Sequence, residues 1–231
     1  MKAMILAAGR GERMKPLTDS LPKPLLKVAN KSLIEHHIEK LAAAGISNIV
    51  INIAWLAEKV QELLGDGTKY GVKITYSHEK QGALETAGGI ATAMPYLEDE
   101  EAFLVVNGDV YTDFDFSSLP NLNSNAQALL WLVDNPEHNP SGDFSINDEQ
   151  VLVNKGVLEN LGSFTYSGIA LFRPSFFKDC LANVPKALGP LLRDGAKQGT
   201  ISAIKLNDVW TDVGTPQRLA DLNQYLIERG M

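Results

Sequence analysis

The chain predicts an α/β fold: a Rossmann-like, mostly parallel mixed sheet, flanked by helices and carrying a small antiparallel flap. Three observations predict it. Short apolar runs at 2–6, 48–53, 72–76 and 102–107 alternate with segments of helical period. A glycine-bearing, proline-stiffened loop separates the first run from the first helix. Past residue 116, strand patterns succeed one another without helices between them, the mark of an antiparallel annex.

Composition bounds the function. The 231 residues are 45% hydrophobic and 21% charged, ordinary for a globular protein able to bury a sizeable core. The net charge of −7 argues against a nucleic-acid partner, which needs a basic face. No run reaches the roughly 20 apolar residues of a membrane span, and the N-terminus lacks a secretory pattern. Cytoplasmic residence is expected. The one cysteine, Cys180, reads as a core thiol on a helix.

The first strand, 2–6, feeds the loop Leu6-Ala7-Ala8-Gly9-Arg10-Gly11. Glycine amides with no side chains in the way form an anion-attracting concavity. Arg10, Arg13, Lys15 and Lys23 place four cations in the same segment. A dinucleotide fingerprint would need a glycine where Met14 stands, and a Walker loop is absent. Pro16, Pro22 and Pro24 delay any helix. A long functional loop that cradles phosphate is the reading.

Ser32 and Glu35 then form a capping box for a helix whose inner face is Leu33, Ile34, His37, Ile38, Leu41 and Ala42, ended by Gly45. His36 and His37 are adjacent, so they diverge and share no metal. A strand at 48–53, a helix at 55–64 and a strand at 72–76 follow, parallel with right-handed crossovers. Ligands in such sheets lie beyond the carboxyl ends of the strands. Gly82 to Ile90, with Thr86, opens a helix reaching about residue 97. The strand at 102–107 ends in Asn107-Gly108-Asp109, which delivers a carboxylate suited to Mg²⁺ or a plain turn.

In the second part, 127–133 reads as a strand, and 144–146 with 151–153 as a hairpin. A second pair is expected from 157–158 and 166–172. Polar groups at Asn135, His138, Asp143, Glu159 and Ser167 are ligand candidates or loop braces. Helices at 176–182 and 188–197 and a strand at 200–206 precede Trp210-Thr211-Asp212. Thr215 caps the last helix with Pro216 at its first position.

The stretch from Leu6 to Thr18, with Pro22-Lys23-Pro24-Leu25, resembles the signature of the sugar-phosphate nucleotidyltransferases, which join a nucleoside triphosphate to a sugar 1-phosphate. The likeness runs along nearly the whole chain. It implies a GT-A-like fold as one domain, 1–231, with a nucleotide half at 1–115 and a sugar half plus C-terminal helix at 116–231. It implies catalytic roles for Arg13, Lys23 and Asp109, and nucleotide contacts from Leu6, Ala7, Ala8, Gly9, Arg10, Gly11, Thr86 and Gly108. Sugar contacts fall on Asn107, Gly142, Asp143, Glu159 and Gly168, and Mg²⁺ on Asp109 and Asp212. Glu85 stands where the family more often has glycine, and Glu159-Asn160-Leu161 replaces its Glu-Lys-Pro. The latter argues against a standard hexose thymidylyltransferase or guanylyltransferase. Ala54-Trp55-Leu56, Val110-Tyr111-Thr112-Asp113 and Asn135-Pro136-Glu137-His138 are most similar to a uridylyltransferase branch, implying UTP and a sugar 1-phosphate as partners. A homo-oligomer is compatible with this. A mannose-1-phosphate guanylyltransferase or another hexose-1-phosphate nucleotidyltransferase, and more remotely a non-catalytic nucleotide-sugar sensor, remain the alternatives.

Overall fold

The computed structural model describes residues 1–80, 82–157 and 161–230. Glu159, an expected sugar contact, lies outside the described residues, as does Leu158 of the expected second strand pair. The chain begins with β1 (Ala3–Leu6), followed by the two-residue strands β2 (Lys27–Val28) and β3 (Lys31–Ser32). Then come α1 (Leu33–Ala43), β4 (Asn48–Ile53), α2 (Ala57–Leu64), β5 (Lys73–His78), α3 (Glu85–Ala93), β6 (Phe103–Asn107) and β7 (Val110–Thr112). The second part holds β8 (Ala128–Val133), β9 (Phe144–Ile146), β10 (Leu152–Asn154), β11 (Ser163–Phe172), α4 (Leu188–Lys197), β12 (Ile201–Lys205), β13 (Trp210–Asp212) and α5 (Pro216–Glu228).

The parallel half is as the alternation predicts: β6, β1, β4 and β5 lie side by side, all parallel. The apolar strands face buried side chains on both surfaces, one cluster under α1 and α2, the other under α3 and α4. A third cluster packs α5 (through Leu222 and Leu226) on Met14, Val28 and Tyr111.

The antiparallel half does not stand beside this sheet but extends it. Strand β11 pairs antiparallel with β6, and with β8, which in turn takes β12 in parallel. Among the described residues only the β9–β10 hairpin forms a flap, joined to the start of β11. The ten residues of β11 serve both neighbourhoods because its register with β8 shifts between Tyr166 and Ala170. Such irregularities re-aim side chains next to active sites.

Other boundaries differ for local reasons. Helix α1 has its capping box, Glu35 N donating to Ser32 Oγ and Ser32 N to Glu35 Oε2. Helix α2 starts at Ala57, not residue 55, because Leu56 takes a left-handed φ of 48°. Helix α3 gives way to a 3₁₀ turn at Met94–Tyr96, where Pro95 cannot continue the ladder. No helix forms at 176–182. A 3₁₀ turn, Pro174–Phe177, is pinned by the stacked rings of Phe103, Phe172, Phe176 and Phe177. Cys180 follows it, half-buried and outside any helix. Val157 lies in a bend, 64% exposed, rather than in a strand.

Candidate active site

The carboxyl ends of β1, β4 and β6, with the start of α3, enclose a cavity of about 200 Å³. Leu6, Ala7, Ala8, Gly9 and Thr86, the nucleotide candidates, line it together with Lys23, Asn107 and Asp109. Pro24, Ala83 and Glu85 line it too, and two residues the sequence did not single out, Asn52 and Glu79, complete the wall. Asn52 Oδ1 accepts from Ala7 N at 2.8 Å, which fixes the entry of the glycine loop. Its Nδ2 donates to Glu79 Oε1 at 2.6 Å, and Glu79 Oε2 accepts from Leu84 N at 2.7 Å. Burial raises the Glu79 carboxyl above its ordinary range, and these two hydrogen bonds oppose the rise. Gly89 gives the carboxylate its room, since a Cβ there would lie 2.5 Å from Oε1.

Not every loop residue reaches this cavity. Arg10 stacks over Trp55 at 4.5 Å and pairs with Glu12. Gly11 has φ +66°, and its carbonyl accepts from Thr18 Oγ1 at 2.8 Å, so it shapes the turn. Gly108 does similar work: a Cβ there would sit 2.7 Å from Leu6 O. Arg13 is exposed and borders two further cavities on the other side of Asp109.

Lys23 and Asp109 meet where the halves join. Lys23 sits in a 3₁₀ turn opened by Pro22, with its side chain only 10% exposed. Its Nζ lies 2.5 Å from Asp109 Oδ2. Asp109 and Asn107 border both the first cavity and a second one of about 410 Å³. That second cavity also takes in Asp143, His138, Trp210 and Asp212.

The sugar-side candidates gather around it. Gly168 sits at the register shift of β11 with φ +80°, and a Cβ there would come within 2.9 Å of the Asn107 side chain. Gly142 (φ +62°) is close against Asn135 and Phe164 O. Asp143 accepts from Asn139 Nδ2 and Tyr166 N. Asn135 braces Ser163 and Thr165, and Ser167 Oγ donates to Trp131 O at 2.7 Å, so these two support the walls. Trp210 Nε1 donates to Ser167 O, tying β13 to the shifted segment.

Strand β13 pairs with β7 so that Asp212 lies opposite Val110, one residue from Asp109. The backbone closes the link, Val213 N donating to Asp109 O at 2.9 Å. Both carboxylates border the same cavity, each paired with a cation: Asp109 with Lys23, and Asp212 with Arg218 at 2.7 Å. Among the described residues no three His, Cys, Asp or Glu side chains form a metal cage. Two carboxylates beside phosphate-sized space fit Mg²⁺, which takes few protein ligands and keeps water and substrate oxygens. The paired histidines of α1 are kept apart from this. His36 contacts Val28 O, and His37 is buried against Val110 O.

A family profile described as nucleotidyl transferase matches residues 2–229. The chain belongs to the nucleotidyl transferase family. It is 50% identical, over 96% of both chains, to the N-acetylmuramate alpha-1-phosphate uridylyltransferase of Neisseria meningitidis serogroup B. It is 31% identical to the mannose-1-phosphate guanylyltransferase catalytic subunit beta of Danio rerio, over 94% of this chain and 62% of that one. HddC from Yersinia pseudotuberculosis, solved with GMP-PN, shares the fold at a TM-score of 0.76 and 20% identity, covering 97% of this chain and 99% of that one. This nucleotidyl transferase therefore has the GT-A-like architecture that the resemblance implied and is an enzyme of the sugar-1-phosphate type.

Proposed function

We propose that the protein joins UTP to N-acetylmuramic acid 1-phosphate, giving UDP-N-acetylmuramic acid and pyrophosphate, in the recycling of peptidoglycan. The observation that carries the reading is the 50% identity, along 96% of both chains, to a uridylyltransferase of that sugar. The site is consistent with it: two cavities meet at Asn107 and Asp109, one for each substrate.

In this reading a phosphate oxygen of the sugar 1-phosphate attacks the α-phosphorus in line. A P–O bond forms, the α–β bridge breaks, and pyrophosphate leaves with the electron pair. Phosphate monoesters are ionised near neutral pH, so no side chain has to remove a proton. What the chain must supply is positioning and positive charge. Lys23, held against Asp109 at the junction, faces the place where two anions converge. The amides of Ala8 and Gly9 receive the triphosphate, and Thr86 and Ala83 flank the base. Asn107, Asp143 and the Gly142 and Gly168 backbones hold the sugar. Arg13 neutralises phosphate charge from the sugar side of Asp109. Asp109 and Asp212 would hold Mg²⁺, which when bound neutralises phosphate charge and polarises the phosphorus. The division at residue 115 into nucleotide and sugar halves, and a cytoplasmic site of action, belong to the same reading. No described helix is long and apolar enough to cross a membrane.

The test is pyrophosphate release with Mg²⁺. Turnover with UTP plus N-acetylmuramic acid 1-phosphate, and not with GTP plus mannose 1-phosphate, is expected. The reverse preference would replace the substrates and keep the mechanism. Nucleotide binding without turnover of either pair would favour a sensor.

A further inference from the structure

One largely buried cation has no part in the phosphate chemistry above. Arg218 stands in the first turn of α5, its side chain 19% exposed. Its Nη1 donates to Asp212 Oδ2 at 2.7 Å and lies 2.8 and 3.0 Å from the two ring nitrogens of His138. Its Nε is 3.5 Å from Thr215 Oγ1, and Nη2 donates to no described residue. The place is built for the guanidinium. A Cβ on Gly214 would fall 2.1 Å from Nη2 and 2.9 Å from Cζ, so the end of the Arg218 side chain would have to shift to admit one.

Arg218 borders a cleft of about 790 Å³ that shares Arg13, His138, Trp210 and Asp212 with the sugar cavity. A substituent on a sugar held beside Asn107 and Asp143 can therefore extend into it. The other carboxylates around this cleft, Asp134, Glu137, Asp208 and Asp221, are exposed, where solvent and salt screen them. Arg218 has Asp212 as its counter-charge, and Asp212 is the group proposed to hold Mg²⁺. Engagement of Asp212 elsewhere would leave a mostly buried cation without its counter-charge, a costly state.

We propose that Arg218, with His138 beside it, receives a carboxylate carried by the sugar: the lactyl carboxylate that distinguishes N-acetylmuramic acid from N-acetylglucosamine. The inference rests on the substrate reading above and deepens it. Guanidinium suits this ligand because its fork matches a carboxylate oxygen pair. The substrate's carboxylate replaces the one that Asp212 withdraws, so the cation stays paired throughout. A sugar without the carboxylate leaves Arg218 unpaired, and unpaired buried polar groups discriminate strongly.

The experiment compares kcat/KM with UTP for N-acetylmuramic acid 1-phosphate and N-acetylglucosamine 1-phosphate, in the wild type, Arg218→Gln and Arg218→Lys. The wild-type preference for the carboxylated sugar should fall about 100-fold in Arg218→Gln, mainly through KM, and partly recover in Arg218→Lys. Calorimetry with Mg²⁺ present should show the same difference in affinity between UDP-N-acetylmuramic acid and UDP-N-acetylglucosamine. An equal loss with both sugars would make Arg218 a support for Asp212 and overturn the inference. An unchanged preference would overturn it too. A wild type that turns over mannose 1-phosphate but not N-acetylmuramic acid 1-phosphate would sink the substrate reading itself, which the variants alone cannot do.

Discussion

Lys23 and Asp109 are 86 residues apart in sequence, yet Lys23 Nζ touches Asp109 Oδ2 at 2.5 Å on the wall of the first cavity, and Asp109 borders the second as well. The lysine comes from a proline-stiffened loop and the carboxylate from the turn after a central strand, so the pair fastens loop to sheet. Lys23→Met and Asp109→Asn are each expected to lower kcat/KM by about 10³, the loss typical of an aimed electrostatic group. Because the two act as a unit, the double variant should lose far less than the product of the single losses. Steady-state kinetics of the three variants decide it, and multiplicative losses would mean independent roles.

Gly168 has a comparable relationship with Asn107. Its φ of +80° disfavours any side chain by about 1–2 kcal/mol, and a Cβ would press on Asn107 Cβ, Cγ and Nδ2 at 2.6–2.9 Å. Gly168→Ala should therefore lower the melting temperature and raise KM for the sugar 1-phosphate about tenfold or more. Affinity for UTP should fall less, since Asn107 borders that cavity too but Gly168 does not. A variant with unchanged sugar KM would remove Asn107 from sugar binding.

Glu79 and Asn52 brace the opposite cavity. Both Glu79 oxygens accept hydrogen bonds, from Asn52 Nδ2 and Leu84 N. Glu79→Gln replaces one acceptor with an amide that must face a donor, a clash worth about 1–3 kcal/mol. The glycine loop, held through Asn52 and Ala7, should loosen with it. Calorimetry should show UTP binding about tenfold weaker, with the KM for the sugar unchanged. Equal weakening of both substrates would point to general destabilisation instead.

Local signals were the legible ones. The capping box at Ser32 and Glu35, the Thr215–Pro216 start and the strand at 48–53 each follow from a few neighbouring residues. What the sequence could not show depends on remote pairing. The three-residue strands β7 and β13 carry no periodicity, yet their register is what places Asp212 beside Asp109. The shift in β11 that sets Gly168 against Asn107 arises from three neighbouring strands at once. Asn52 did leave a trace, as a polar residue inside the apolar strand β4 at the end where ligands bind. Arg13 stands in the loop beside Gly11, and the turn there brings it to the cavity lined by Asp143 and Asp212, a placement that no local pattern signals. The aromatic cluster around Phe177 overrode a plausible helix.

The buried His37 gives the fold a pH dependence of defined sign. Its Nε2 lies 2.8 Å from Val110 O, which can only accept, so Nε2 carries the proton. Nδ1 is buried with no partner among the described residues, and a second proton there would be an unsatisfied donor. Burial accordingly pulls the pKa from 6.5 to about 4. Above pH 6.5 both folded and unfolded chains hold the ring neutral, and stability is complete. As pH falls from 6.5 towards 4, the unfolded chain takes up a proton that the fold refuses. Stability should then drop by up to about 3 kcal/mol, levelling off below the folded pKa. Carboxylates titrate near the bottom of this window, so the measure is the difference between wild type and His37→Gln, which keeps a donor for Val110 but does not titrate. Denaturant melts between pH 7.5 and 4.5 should show a steeper acid loss in the wild type. Parallel curves would mean that the imidazole gains its second proton without cost, and that its burial is not what sets its charge.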